Sequence, residues 1–308
     1  MKLPFYLRSV VGMSFALLCS VGAAHAQIKV FACEPEWGAL VKEIGADQVA
    51  VTVATAPSQD PHYLRAKPSL LAAVRGAALV VCSGASLEVG WLPLLLERAG
   101  DANVQHGASG NIAAAEFVEV LEKPTRLDRA DGDVHPEGNP HVHLNPRNLL
   151  KVGEEVANRL QRIDPANAEQ FAARRRRFSG VWSEAIARWE ERAAPLRGMR
   201  VVVHHKAFSY LVHWLGLEVV GSIEPKPGVP PTTRYLETLL GTLRASPPVV
   251  ILRTPYETAD GSEWLSEKLK VRALVLPYTV GGDSQATTLE GLFEVTLQLL
   301  LDAKEKAT

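Results

Sequence analysis

The sequence predicts an α/β protein made of two doubly wound lobes that are joined by one long helix. Short runs of β-branched and apolar residues alternate with helical patterns over residues 28–99, as is typical of parallel sheets covered by helices. One uninterrupted helical pattern occupies the middle of the chain, and the alternation resumes after Pro195. The 308 residues are enough for two lobes of this kind.

The first lobe is predicted to begin with a strand at 28–33, which leads into a helix that begins near Glu36. A second strand, at 48–54, alternates valine with small residues. The remaining elements of this part are a helix at 68–74, a strand at 78–82 and a leucine-rich helix at 90–99. Strands separated by helices in this way form a parallel sheet.

The long helix is predicted over residues 164–195. Asp164 and Pro165 provide an N-cap followed by proline in the first turn, and residues 166–194 contain no proline and one glycine. About thirty residues make a helix about 45 Å long. The apolar residues that recur at steps of three or four along it are Phe171, Phe178, Trp182, Ile186 and Trp189. A shorter helix, at 148–163, precedes it.

The second lobe repeats the alternation. Its predicted strands are 199–204, 217–222, 248–253 and 271–277, and its predicted helices are 207–215, 232–245, 260–269 and 286–303. The chain is therefore divided into a first lobe at 27–163, a linking helix at 164–195 and a second lobe at 196–308.

The N-terminus predicts export. Lys2 and Arg8 precede an apolar run from 10 to 24, and the small-x-small pattern at 24–26 indicates signal-peptidase cleavage before Gln27. Residues 1–26 are therefore interpreted as a cleavable signal peptide and the mature chain as periplasmic. The net charge of −1 excludes a non-specific nucleic-acid surface.

Two cysteines of the mature chain, Cys33 and Cys82, each end a predicted strand. If the two strands are parallel neighbours, the sulfur atoms lie at the same level of the sheet, and an oxidising compartment then permits a disulfide. Two buried thiols are the alternative, and the sequence does not choose between them.

Three histidines lie where regular elements are predicted to end. His62 follows Asp60 and Pro61 in a loop after the second strand, and His205 follows a buried strand. His141 begins a segment bracketed by Pro140 and Pro146, which we expect to be extended, with His141 and His143 on one face. Neutral imidazole is a common zinc ligand, so histidines gathered by the fold predict a metal in the cleft between the lobes.

Three further histidines are assigned lesser roles. His204 precedes His205 on the same strand, so its side chain points to the opposite side. His143 and His204 are expected to pack or to support a ligand through hydrogen bonds. His135 lies in a charged, glycine-containing loop at 128–138, and its role is left open.

The motifs resemble those of metal-specific periplasmic solute-binding proteins of ABC transporters, the ZnuA-like zinc and manganese uptake group. The matching segments are 60–62 with 67–69, 139–146 and 205–210, and the resemblance covers the whole mature chain. It implies that His62, His141 and His205 are the metal ligands. It also implies a monomer that delivers its ion to an ABC permease in the inner membrane.

The fourth ligand is the main departure from this group. Many members supply an aspartate after the last strand of the second lobe, where this chain has Thr279. Asp283, Glu224, Asp60 or a water molecule are the alternatives. Three nitrogen donors without the usual aspartate favour Zn²⁺ over Mn²⁺.

The competing interpretation is a zinc hydrolase, because three histidines and a water also describe catalytic zinc. The chain contains neither a His-Glu-x-x-His helix nor a Gly-x-Ser-x-Gly elbow. The sequence therefore predicts a binding protein without catalytic residues. A metal-independent role such as adhesion is disfavoured by the histidines.

Overall fold

The computed structural model describes residues 26–126, 132 and 134–307. The predicted signal peptide lies outside these residues except for its last position. The described residues form eight strands and nine α-helices. The strands are β1 (Ile28–Ala32), β2 (Val49–Val53), β3 (Leu79–Cys82), β4 (Asn111–Ala113), β5 (Arg200–Val203), β6 (Glu218–Ser222), β7 (Val250–Arg253) and β8 (Arg272–Val275). The helices are α1 (Pro35–Gly45), α2 (Pro68–Arg75), α3 (Leu92–Ala99), α4 (Pro146–Ile163), α5 (Ala168–Ala193), α6 (Ser209–Leu215), α7 (Thr233–Arg244), α8 (Asp260–Leu269) and α9 (Leu289–Glu305).

The strands form two four-stranded parallel sheets, ordered β2-β1-β3-β4 and β6-β5-β7-β8. Each has its earliest strand inside the sheet and its second strand at an edge. This order brings the carboxyl ends of the central strands together, where open α/β sheets bind ligands. The predicted fold class, two doubly wound α/β lobes with a long helix, is confirmed.

The long helix α5 holds the two lobes on one core. Trp182 stacks on Phe178 with ring centroids 5.3 Å apart, and Trp189 stacks on Phe293 of α9 at 5.2 Å. The largest cluster of buried side chains runs from β1 through α4 and α5 to β5 and α9, and each sheet has a smaller core on its other face. The lobes are therefore packed on a shared apolar layer.

The helix is shorter than the sequence indicates. Pro165–Asn167 forms a 3₁₀ turn, and the α-helix proper spans 26 residues, Ala168–Ala193. A proline in the first turn leaves this separate turn between α4 and α5. The three-residue strand β4 has no counterpart in the sequence analysis. Among the described helices, none combines the length and apolar composition needed to cross a bilayer.

A disulfide joins Cys33 to Cys82. Val30 and Ala32 of β1 pair with Leu79 and Val81 of β3, so the two cysteines that follow stand at the same level. Their Cα atoms are 4.8 Å apart. Of the two alternatives left open by the sequence, the structure has the disulfide.

Candidate metal centre

His62 is positioned by the loop after β2. Asp60 Oδ1 accepts hydrogen bonds from the His62 backbone N–H at 2.9 Å and from its ring Nδ1 at 2.7 Å. Trp91 Nε1 anchors the loop on the carbonyl oxygen of Pro61 at 2.9 Å. A carboxylate only accepts, so Nδ1 carries the proton and Nε2 keeps its lone pair. Burial alone would raise the pKa of Asp60, but its hydrogen bonds with the ring and backbone of His62, together with the electrostatic effect of that ring, hold the pKa below its ordinary value.

His141 is fully buried before a short 3₁₀ turn, Val142–Leu144. Its backbone N–H donates to Asn139 Oδ1 at 3.0 Å, and its Nδ1 lies 3.1 Å from the Tyr278 hydroxyl. Its Nε2 is buried without a hydrogen-bond partner among the described residues. Burial, followed by the charges of His62, His205 and His135, holds the pKa of His141 well below its ordinary value. The ring is therefore neutral, which is the form that binds a metal.

His205 follows β5 in the second lobe. Its Nδ1 donates to Glu224 Oε2 at 2.7 Å, and the same oxygen accepts from the Gly228 N–H at 2.9 Å. Burial lowers the pKa of His205, but the hydrogen bond and charge of Glu224, with Glu257 and Asp60, outweigh burial and raise it. As for His62, a carboxylate behind the ring directs Nε2 away from the loop.

The three rings converge between the lobes. The centroid of the His62 ring lies 5.6 Å from that of His141 and 5.8 Å from that of His205, and the last two are 5.7 Å apart. One ligand atom of each lies within 4.8 Å of the others. Each Nδ1 has an oxygen behind it, from Asp60, Tyr278 or Glu224. Three imidazoles fixed in this way form a preorganised set of nitrogen donors for a divalent transition metal.

The side chains considered for a fourth ligand already have other hydrogen-bond partners. Asp60 and Glu224 stand behind ligand rings, on the Nδ1 side. Thr279 donates a hydrogen bond to the buried carboxylate of Glu36. Asp283 accepts from the Gln285 N–H at 2.8 Å in its own turn, and among the described residues it does not join the ligand atoms of the three histidines.

His143 and His204 lie outside the ligand group. His143 Nε2 donates to the carbonyl oxygen of Tyr278 at 2.8 Å, and its Nδ1 is 3.1 Å from Glu36 Oε1. The expectation of an extended segment with His141 and His143 on one face is wrong, because the 3₁₀ turn sends the rings to different partners. Burial lowers the pKa of His204, whose Nδ1 is buried without a partner among the described residues.

Three residues at the site were missed by the sequence analysis. Tyr278 orients His141 through its hydroxyl group. The two residues are 137 positions apart, so only the folded structure shows this contact. Tyr256 and Glu257 line a cavity of about 40 Å³ beside His62 and His205, which is room for one water molecule. Burial is the main reason that the pKa of Glu257 is raised to about 7.

His135, whose role the sequence left open, lies beside His62 but outside the group of ligand atoms that His62, His141 and His205 form. Its Nε2 is 3.3 Å from Nε2 of His62, and the ring centroids are 5.3 Å apart. The only signal in the sequence was a histidine in a loop that precedes the His141 motif.

Known proteins are similar to this chain in both sequence and fold. The manganese-binding lipoprotein MntA of Halalkalibacterium halodurans is 24% identical over 187 residues, which cover 60% of this chain and 56% of that protein. The zinc-binding lipoprotein AdcA of Streptococcus pneumoniae is 23% identical over 199 residues, 64% of this chain and 39% of its own length. The high-affinity zinc uptake system protein ZnuA of Paracoccus denitrificans is 26% identical over 217 residues, 60% of this chain and 63% of that protein. The alignments thus span between about two fifths and just under two thirds of these relatives.

Solved structures share the fold over nearly the whole chain. A crystal structure of ZnuA aligns with a TM-score of 0.74 at 22% identity and covers 91% of this chain and 98% of that one. A cadmium-bound periplasmic metal binding protein from candidatus liberibacter asiaticus aligns with a TM-score of 0.71 at 17% identity, over 89% and 98% of the two chains. Residues 30–303 match the family model described as zinc-uptake complex component A periplasmic, ZnuA, and the chain therefore belongs to this family.

Proposed function

We propose that this protein captures a zinc ion between its lobes and delivers it to an ABC permease in the inner membrane. The observation that carries the proposal is the convergence of His62, His141 and His205, each with an oxygen behind its Nδ1. In this proposal the mature protein is a periplasmic monomer, exported by a signal peptide at 1–26. The relatives are named as zinc-binding, manganese-binding or zinc uptake proteins, which supports a transported ion rather than a catalysed reaction.

Zinc is favoured by the chemistry of the donors. Three imidazole nitrogens suit a tetrahedral zinc site, whereas manganese prefers oxygen-rich sets. Of the carboxylates near the rings, Asp60 and Glu224 accept from Nδ1–H groups, and Glu257 accepts from the Thr254 backbone N–H. Manganese remains the second candidate, because the relative from Halalkalibacterium is named for it.

We also propose a division of the chain into two lobes and a linking segment that suits this role. A first lobe at 27–163 supplies His62 and His141, a second lobe at 196–308 supplies His205, and the segment 164–195 links them. Asn139 Nδ2 donates to the Lys206 carbonyl at 2.9 Å, which connects the segments before His141 and after His205. We infer that release uses small shifts of loops or lobes rather than wide hinge opening.

The test is zinc stoichiometry and affinity of the purified mature chain, measured by elemental analysis and by competition with a chromogenic chelator. We expect one zinc per chain and preference for zinc over manganese in competition. Single replacements of His62, His141 or His205 with alanine should each weaken zinc binding by at least about 100-fold, since an outer partner alone is worth 10- to 100-fold.

The control is His106→Ala, which removes a histidine whose side chain is 77% exposed and pairs with Glu116. It should bind zinc as the unmodified protein does. Stoichiometric tight zinc in the His62, His141 and His205 triple variant would overturn the proposed function.

A further inference from the structure

The fourth position of the site has a candidate that neither the sequence analysis nor the comparisons assign. His135 Nε2 lies 3.3 Å from Nε2 of His62. Two imidazole nitrogens bound to one tetrahedral zinc at 2.0–2.1 Å are about 3.3–3.4 Å apart. The separation between His62 and His135 is therefore the one that two ligands of a shared zinc ion would have.

The tautomers agree with shared coordination. Asp60 accepts the Nδ1 proton of His62, so Nε2 of His62 has a lone pair directed toward His135. Without metal, an Nε2–H of His135 donates to this lone pair at 3.3 Å. In its other neutral tautomer His135 presents an Nε2 lone pair at the same place, and a zinc ion bound by His62 takes both lone pairs.

A defined turn holds His135 in this place. Its carbonyl oxygen accepts from the Gly138 N–H at 3.0 Å, and Glu137 accepts from the Ser86 hydroxyl of the first lobe at 2.8 Å. Gly138 has φ +107°, and a Cβ there would stand 2.6 Å from the Leu121 carbonyl oxygen. Only glycine fits this backbone. The histidine is thus presented by a fixed structure.

The segment also reaches the second lobe. The backbone of Gly132 lies so close to the Pro227 carbonyl oxygen that no side chain fits between them. His135 lines two cavities, one of about 890 Å³ that includes His62 and one of about 370 Å³ that includes His141 and His205. It therefore stands between the cavities on either side of the three-histidine group.

We propose that His135 is the fourth protein ligand of the zinc ion, which gives a tetrahedral site of four imidazoles. This inference rests on the proposed function. Binding draws the His135 ring toward His141 and His205, with which it shares the 370 Å³ cavity. The main competitor is a water molecule in the 40 Å³ cavity, where the Tyr256 hydroxyl and Glu257 Oε1 are buried without hydrogen-bond partners among the described residues.

The experiment compares His135→Ala and His135→Gln with the unmodified mature chain and with His106→Ala. Zinc affinity is measured by chelator competition, and the number of imidazole ligands by zinc K-edge X-ray absorption. Co²⁺ replaces zinc for visible spectroscopy, which reports whether the metal is tetrahedral and which donors it has. Melting temperatures without metal show that the variants are folded.

We expect both His135 variants to keep one zinc per chain and to bind it at least about tenfold more weakly, because a direct ligand contributes no less than an outer partner. The ligand count should fall from four imidazoles to three, the Co²⁺ spectrum should change, and His106→Ala should match the unmodified protein.

Unchanged affinity, ligand count and Co²⁺ spectrum in both variants would overturn the role of His135 and leave the three-histidine site intact. A wild-type chain that binds no zinc, or a triple variant that retains it, would instead overturn the proposed function itself. The two failures are therefore distinct.

Discussion

The two lobes are built to the same plan but place different chemistry at the ends of their central strands. Both sheets have the same strand order. Past the first strand of each, the backbone makes the same bond to the neighbouring strand: Cys33 N–H donates to Val81 at 2.9 Å, and His204 N–H donates to Leu252 at 2.8 Å. Cys33 thus corresponds to His204, and the next residue, Glu34, corresponds to His205.

The third strands of the two sheets show the same correspondence. Glu88 Oε1 accepts from the Ser83 N–H at 2.7 Å, and Glu257 Oε2 accepts from the Thr254 N–H at 2.7 Å. Burial is the first cause that raises the pKa of each carboxyl to about 7. A buried carboxyl that holds the loop after the third strand is therefore common to both lobes.

The difference lies after the first strand. The second lobe places His205 there, directed at the proposed metal site and held by Glu224. The first lobe has Glu34, which accepts from the Ser83 hydroxyl at 3.2 Å, beside a disulfide. Its proposed ligand His62 comes instead from the loop after the edge strand β2. If the proposed site is right, equivalent positions of one framework stabilise the first lobe and bind the ion in the second.

The largest effect is expected from removing the disulfide. Cys33→Ala with Cys82→Ala should lower the free energy of unfolding by about 4 kcal/mol, because the bond closes a loop over a separation of 49 residues. Urea denaturation of the metal-free protein measures the loss. Alanine is used because both sulfurs are buried and serine would bury two hydroxyl groups.

Zinc affinity of this double variant should stay within about twofold of the unmodified protein, measured at a temperature where both are folded. A loss of zinc binding without a loss of stability would show that the position after β1 serves the metal site and not the stability of the first lobe.

Much of the fold follows from the sequence, because most strands are short apolar runs and the helices repeat apolar residues every three or four positions. Seven of the eight strands begin or end within a few residues of the predicted bounds. The exception, β4, has three residues, Asn111–Ala113, which is too short for a period to be recognised. Pro165 indicates where the long helical segment begins. It does not reveal that the first turn is a separate 3₁₀ turn.

The site is less predictable from sequence, because several residues that contact the three histidines are far from them in the chain. The prediction that His62, His141 and His205 are ligands came from motifs, and their assignment stays a proposal although the fold brings the rings together. Nothing in the sequence connects Tyr278 to His141, or His135 to His62, since 137 and 73 positions separate them. Such pairs are set by how the lobes pack.

An intermediate effect is expected from Glu224, the carboxylate behind the proposed ligand His205. Glu224→Gln keeps the size of the side chain but removes the charge that fixes the His205 Nδ1–H. Zinc affinity should fall by about 10- to 100-fold. The melting temperature without metal should change little. Chelator competition measures the affinity, and Glu88→Gln, a buried carboxyl of the other lobe, is the matched control. Equal losses of zinc affinity in the two variants would show that the carboxylate behind His205 serves the metal no more than a buried carboxyl elsewhere.

The smallest effect is a pH dependence of stability that Glu88 gives to the first lobe. Burial, opposed by hydrogen bonds from Ser83 and Gly84, raises the pKa of Glu88 from 4.5 to about 7. A carboxyl whose pKa is raised in the folded state ionises more easily in the unfolded chain, so folding binds a proton. The resulting penalty is absent below pH 4.5, grows as the pH rises to about 7, and is complete above that value.

Glu88→Gln removes this penalty, because an amide oxygen accepts the same backbone hydrogen bonds without ionising. Relative to the unmodified protein, the variant should therefore gain melting temperature between pH 5 and pH 8, by a few degrees, and its zinc affinity at pH 8 should be unchanged. Thermal unfolding of the metal-free proteins at both pH values measures the gain. A difference in melting temperature that is the same at pH 5 and pH 8 would mean that Glu88 is ionised throughout. The first lobe would then hold a permanent charge beside Glu34, and the correspondence with Glu257 would be one of geometry alone.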